Sequence, residues 1–204
     1  MAAGKTKHKA LWLVLGSFIG LIILVIAIIG GKYYMEKQRA TQLYQHGFKL
    51  YEEQIATYIK EHYSGVRKIE FSPILFRRGG MSNAHIVPVI YDEEGNKAYL
   101  GQIVNKRQYL DYGLGYNIWL DFDGATGKQI IELVGPEEEK IEVQDYNKLP
   151  EKAKLKSARS IDDNITAFVN NKNLKDIKKS KAGSPNAKIK YNVEIEEGEY
   201  LKWR

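Results

Sequence analysis

The chain opens with a run that has no alternation at all. From Ala10 to Gly31 there are 22 residues without a charged side chain (ALWLVLGSFIGLIILVIAIIGG). As a helix this run is about 33 Å long, enough for a hydrocarbon core of about 30 Å. Helical backbone groups satisfy one another, as lipid requires. Trp12 stands near one end and Tyr33 and Tyr34 at the other, where amphipathic rings favour the membrane interface. A buried core helix of this length with no polar face would need a larger domain around it. A cleaved signal peptide is the competing reading, but its apolar part would be about 7–15 residues and end in a small-x-small site. Here the run ends in Ile28 and Ile29 before Gly30, Gly31 and Lys32.

The period then becomes helical. Tyr44, Phe48, Tyr51, Ile55, Tyr58 or Ile59, and His62 recur at alternating steps of three and four, the stripe of an amphipathic helix over 35–63. Glu52, Glu53, Lys60 and Glu61 lie off that stripe, and Ser64–Gly65 ends it. The stripe suits either packing against a following sheet or a short coiled coil.

Beyond it the period is two. Strands are predicted at Val66–Phe71, Ala84–Tyr91, Lys97–Val104, Tyr116–Phe122 and Lys128–Val134, with turns at Asp92–Asn96 and Asp123–Gly127 making two hairpins. Pro88 suggests an edge position or a bulge. Glu137–Glu139 reads as a solvated turn. Ser160–Asp163 has the form of a capping box opening a short helix at about 160–170, and Ala187–Ile195 reads as a last strand.

The pattern therefore predicts an α+β chain. One N-terminal transmembrane helix is followed by a long helix and a curved antiparallel sheet of about five or six strands, with a small C-terminal helix. Its parts are a short head at 1–9, the span at 10–31, a juxtamembrane helix at 32–65 and a soluble domain at 66–204.

Composition sharpens this. The chain has 204 residues, no cysteine and a net charge of +6. Lys5, Lys7 and Lys9 supply three of those charges with no acid before residue 32, so the rest is nearly balanced. A nucleic-acid reader shows a stronger bias, so none is expected as partner. Without thiols there is no disulfide framework, thiolate metal site or cysteine nucleophile. The head lysines face Lys32, Lys37 and Arg39 across the span, so the positive-inside rule favours a cytoplasmic N-terminus only slightly. A short polar head is also easily retained inside. The expected location is the cell membrane, single-pass, with the C-terminal domain outside. Gly16 and Gly20 form a GxxxG pair that can drive homodimerisation, though glycine is common in membrane helices.

Residues 148–190 carry twelve Lys or Arg against four acids. This is either a solvated surface or a patch attracted to anionic lipid heads or an anionic envelope polymer. Arg77, Arg78, Lys106 and Arg107, followed by Tyr109, Tyr112 and Tyr116, mix charge with rings. That mixture suits a ligand groove, while tyrosines half-buried on a sheet rim explain the same residues. Asp121-Phe-Asp123-Gly124 resembles the start of a calcium loop, but Ala125 stands where a third oxygen ligand belongs. A hairpin turn explains it equally. Ser82 and His85, with Asp121 or Asp123, are the candidates for a hydrolase or transferase, but sequence adjacency does not make them converge. His8, His46, His62 and His85 lack metal-ligand spacing. No catalytic residue, metal or cofactor is expected.

The plan of lysine-rich head, span, helix and sheet resembles that of small single-span surface proteins of low-GC Gram-positive bacteria. The helix-then-meander order in 35–134 is similar to cystatin-like and NTF2-like α+β folds. The anchor, together with the absence of a catalytic constellation, points to a non-enzymatic, membrane-tethered domain outside the cell that binds a partner or an envelope component through its sheet face and the loops at 77–85 and 106–116. A cytoplasm-facing domain meeting polyanions is the remaining alternative.

Overall fold

The structure, a computed structural model, describes residues 4–76, 84–101, 119–123, 125–133 and 139–198, with 4–18 and 119 described by backbone alone. The chain divides into two units, Met1–Gln42 and Leu43–Arg204.

The first unit is helical. Helix α1, Gly4–His62, is one uninterrupted element, so the predicted span and juxtamembrane helix are parts of the same helix. Gly30 and Gly31 do not break it. A helical glycine costs only about 1 kcal/mol relative to alanine, a small penalty within a helix of 59 residues. Between Ile19 and Ile29, nine large apolar side chains are each 43–64 % exposed, uncovered within their own unit among the described residues. The helix is long and apolar enough to cross a membrane, as an anchor or a signal sequence is.

In the second unit, the last turns of α1 lead into β1 (Tyr63–Ser64), β2 (Val66–Phe71) and β3 (Ile74–Phe76). Then come β4 (Ala84–His85), β5 (Pro88–Asp92), β6 (Lys97–Tyr99), β7 (Trp119–Asp123), β8 (Lys128–Leu133) and β9 (Glu139–Glu142). Helix α2 (Arg159–Asn170) and strands β10 (Lys178–Lys179), β11 (Lys188–Lys190) and β12 (Ile195–Glu197) complete it.

The class is α+β, as predicted, but the strands make several small sheets in place of one curved antiparallel sheet. Among the described residues the orders are β11-β2-β5-β6, β7-β8-β9, β12-β3-β4 and the pair β1-β10. β11 runs parallel to β2 and β12 parallel to β3; the other pairings are antiparallel. The predicted strand at 84–91 is two strands in two sheets, and that at 187–195 is likewise β11 and β12. Pro88 begins β5, a central strand, where the first position tolerates its missing N–H. Glu139 opens β9 and does not lie in a solvated turn. The capping box fails too: α2 is capped at Ala158 without a side-chain bond, and Ser160 lies inside its first turn.

The stripe on α1 packs inside its own unit, not in a coiled coil. Phe48, Tyr51, Ile55, Tyr58 and Ile59 meet Ile69 and Ile90 of the four-stranded sheet and Ile161, Ile165 and Phe168 of α2. A second cluster covers the helix elsewhere: Leu50 packs with Ile131, Ile141, Val143 and Ala153. With layers on two sides, Glu52 and Gln54 are fully buried, although Glu52 lies off the apolar stripe.

The C-terminal end of α1 is closed by a distant loop. Its orphan carbonyls need donors. The Ser180 N–H donates to the His62 carbonyl and the Ser184 N–H to the Lys60 carbonyl, each at 2.8 Å. Ser184 Oγ donates to the Tyr63 carbonyl at 2.7 Å and accepts from the Val66 N–H at 3.0 Å. Gly183 makes this approach possible. Its φ is +60°, and a Cβ there would lie 2.3 Å from the Lys60 carbonyl oxygen. Gly127 also has positive φ (+78°), but nothing lies within 4 Å of its Cβ position. Gly127→Ala should therefore cost about 1–2 kcal/mol for the left-handed backbone alone. Gly183→Ala should cost about 1–3 kcal/mol more, because backbone cannot yield as a side chain can. Denaturant unfolding of the two variants checks this; equal losses would remove the close-approach argument.

Candidate functional site

The period-two alternation of the four-stranded sheet separates its residues by chemistry. Ile189, Ile69, Ile90 and Ala98 are in cross-strand register and form the row that faces the core. The residues one step away point to the other face. There Lys188, Lys68, Tyr91 and Lys97 make one row across the four strands, and Lys190, Glu70, Val89 and Tyr99 make the next. Lys97, Lys188 and Lys190 are exposed. In these two rows of described residues, four ammonium groups thus stand with one carboxylate.

Glu70 organises the middle of the array. Lys68 Nζ lies 2.6 Å and Lys190 Nζ 3.7 Å from Glu70 Oε1, while the Tyr91 hydroxyl donates to Oε2. Burial opposes the Glu70 charge, but the bonds from Lys68 and Tyr91 and the charge of Lys190 outweigh it and hold the carboxyl below its ordinary range. Burial, then the bond to Glu70 and its charge, push the Tyr91 hydroxyl up to about 12. Lys68 Nζ stands 5.0 Å from the Tyr91 ring centroid and Lys97 Nζ 5.1 Å from that of Tyr99, both cation–π distances. Lys97 and Lys188 form no ion pair among the described residues.

Other polar clusters serve the fold. Asp162 accepts from the Tyr58 and Tyr63 hydroxyls at 2.9 and 2.6 Å and from Lys179 Nζ at 2.6 Å. Asp92 accepts from the Asn96 side chain and from the backbone N–H groups of Asn96 and Lys175, fixing the β5–β6 turn. An open groove of about 550 Å³ borders Lys60, Lys154 and Lys181, yet Lys154 is paired with both Glu61 and Glu151. The cations of the basic segment 148–190 are only partly paired. Lys154, Arg159, Lys175 and Lys179 are paired with acids on different elements, and Lys188 and Lys190 alone of its lysines join the sheet array.

Arg77, Arg78, Lys106, Arg107, Tyr109, Tyr112 and Tyr116 lie outside the described residues, as does Ser82. Asp123 spends its carboxylate on its own turn. Oδ1 accepts from the Ala125 N–H and Oδ2 from the Thr126 hydroxyl, so these oxygens serve the hairpin. Asp121 Oδ1 accepts from the neighbouring Phe122 N–H. Among the described residues no three His, Asp or Glu side chains converge as a metal site needs. Lys68, Tyr91, Lys97, Tyr99, Lys188 and Lys190 were not singled out from sequence as a binding set. Their local signal is lysine alternating with apolar residues in KIK and RKIEF, but the register that aligns them joins residues about 120 apart.

A comparison with known protein families, curated proteins and solved structures finds no match for this chain.

One buried group titrates abnormally. Glu52 is fully buried, Oε2 accepts from the Asn192 N–H at 3.0 Å, and Oε1 has no hydrogen-bond partner among the described residues. Burial pushes its carboxyl up to about 9, with the Asn192 bond acting in the opposite sense. The folded chain holds a proton that the unfolded chain releases above about 4.5. The stability this contributes is fully present below that value and is lost as the pH rises towards 9. Glu52→Gln keeps an acceptor but has no proton to lose. Its unfolding free energy should fall less steeply than wild type between pH 5 and 9, the gap widening by up to about tenfold in folding constant per pH unit. Parallel profiles would show that Glu52 is charged in the folded state.

Proposed function

We infer that the protein is a membrane-tethered, non-enzymatic binding or accessory domain. Residues 10–31 cross the bilayer, the N-terminus is cytoplasmic and the folded unit is outside the cell. The observation that carries this reading is the uncovered apolar surface from Ile19 to Ile29, which water penalises and lipid does not. The whole-chain plan resembles single-span envelope proteins, and Gly16 and Gly20 offer a second copy a close approach within the span. The partner-facing surface is the outer sheet face, together with the loops carrying Arg77, Arg78, Lys106, Arg107, Tyr109, Tyr112 and Tyr116. Lysines and tyrosines gathered on one sheet face favour recognition over catalysis, and the other described polar clusters are spent on turns and packing.

Two measurements on cells expressing the full chain test this. After a carbonate wash without detergent the protein should stay with the membrane, and protease added to intact cells should digest the folded unit. Release by carbonate would end the anchor reading. A protease-resistant domain in intact cells would place it inside.

A further inference from the structure

We propose that the outer face of the four-stranded sheet is a binding surface for a flexible, phosphate-bearing polyanion of the polyphosphate or polyol-phosphate type. The proposal rests on the reading of the unit as a binding domain but does not require the anchor.

The argument begins with spacing. Neighbouring strands are about 4.8 Å apart and same-face residues on one strand about 6.7 Å apart, so the row from Lys188 to Lys97 spans about 14 Å. Lys188 and Lys68 are adjacent across strands, Lys190 stands beside Lys188, and Lys97 closes the far edge. Such an array meets several phosphates of one chain at once, and each neutralised phosphate releases a counterion. Lysine suits this task as a compact point charge on a flexible stem, which follows a polymer that has no fixed shape. Isolated like charges would repel one another. Here Glu70 stands between Lys68 and Lys190 and keeps the array assembled while leaving a net positive field.

The aromatic residues decide between polyanions. A single-stranded nucleic acid is held by bases stacking on ring faces. On this surface the rings of Tyr91 and Tyr99 each carry a lysine ammonium where a base would stack. The Tyr91 hydroxyl is also committed to Glu70. The rings thus position cations and leave little platform for bases, so the surface reads charge along a backbone. Among the described residues no exposed apolar side chain stands between the lysines to enter a bilayer, since Val89 is buried.

The test uses the full chain in non-ionic detergent with long-chain inorganic polyphosphate as the probe and oligothymidylate as competitor. The variant Lys97→Gln/Lys188→Gln/Lys190→Gln removes three exposed cations from the face. The control Lys148→Gln/Lys152→Gln/Lys156→Gln removes the same charge from elsewhere. Wild type should bind polyphosphate, and the face variant should bind at least about tenfold more weakly at about 0.1 M salt, its salt slope reduced by about two. The control should stay within about threefold, and both variants should keep the wild-type unfolding midpoint. Absence of polyphosphate binding, equal losses in the two variants, or tighter binding of oligothymidylate would each overturn the proposal. A chain that carbonate strips from membranes but that binds as described would sink the anchor alone. One that stays in the membrane and ignores polyphosphate would sink this surface alone.

Discussion

The second unit is built around one buried helical segment, Leu43–His62, covered on two sides. An amphipathic helix lying on a sheet buries one stripe and wets the other. This one has the four-stranded sheet and α2 against one side and the β7–β8–β9 sheet against another, so Leu50 and Tyr51, adjacent in sequence, belong to different apolar clusters. Most of the fold's unusual features follow. Gln54 gives its amide hydrogen to the Ala153 carbonyl because no water reaches it, and Glu52 depends on a backbone N–H from the chain's last stretch. A buried polar group without such partners costs about 1–3 kcal/mol, so these two bonds restrict how the outer segments can dock.

The candidate surface is the complement of that core. Alternation sends isoleucine inward and lysine or tyrosine outward along the same strands, so the residues that stabilise the sheet also space its charges. The tie between packing and charge is geometric. Strand register fixed by Ile69, Ile90 and Ile189 sets which lysines are neighbours. A one-residue slip would bury the ammonium groups, so the hydrophobic row protects the charged row from misalignment.

Local rules recovered what is local. The hairpins around Asp92–Asn96 and Asp123–Gly127 follow from turn residues between alternating segments, and the helix at about 160–170 is present although the capping box that announced it does not form. The apolar run at 10–31 was legible for the same reason: one stretch carries the whole signal. What failed was relational. Nothing in the tetrapeptide around Lys188 encodes a parallel partner at Lys68, and a segment of eight residues such as 84–91 does not announce that its halves join different sheets. Glu52 lies off the apolar stripe, and the stripe alone does not show that the helix is covered on two sides. The candidate surface was missed residue by residue for the same cause: its members come from four strands, while attention to 148–190 followed composition alone, which does not show that Lys154, Lys175 and Lys179 pair with Glu61, Glu94 and Asp162.

The way α1 is terminated has a kinetic consequence. Its last carbonyls receive their donors from Ser180 and Ser184, and Ser184 reaches back to Tyr63 across 121 residues. A ribosome releases the helix well before those donors, so the central element of the unit is made long before its end is closed. Closing so long a loop is entropically expensive before any contact rewards it. During that interval the apolar sides of the helix gain their cover only piecemeal, as the sheets and α2 emerge, which places an aggregation-prone window in synthesis, ahead of any thermal unfolding of the finished fold.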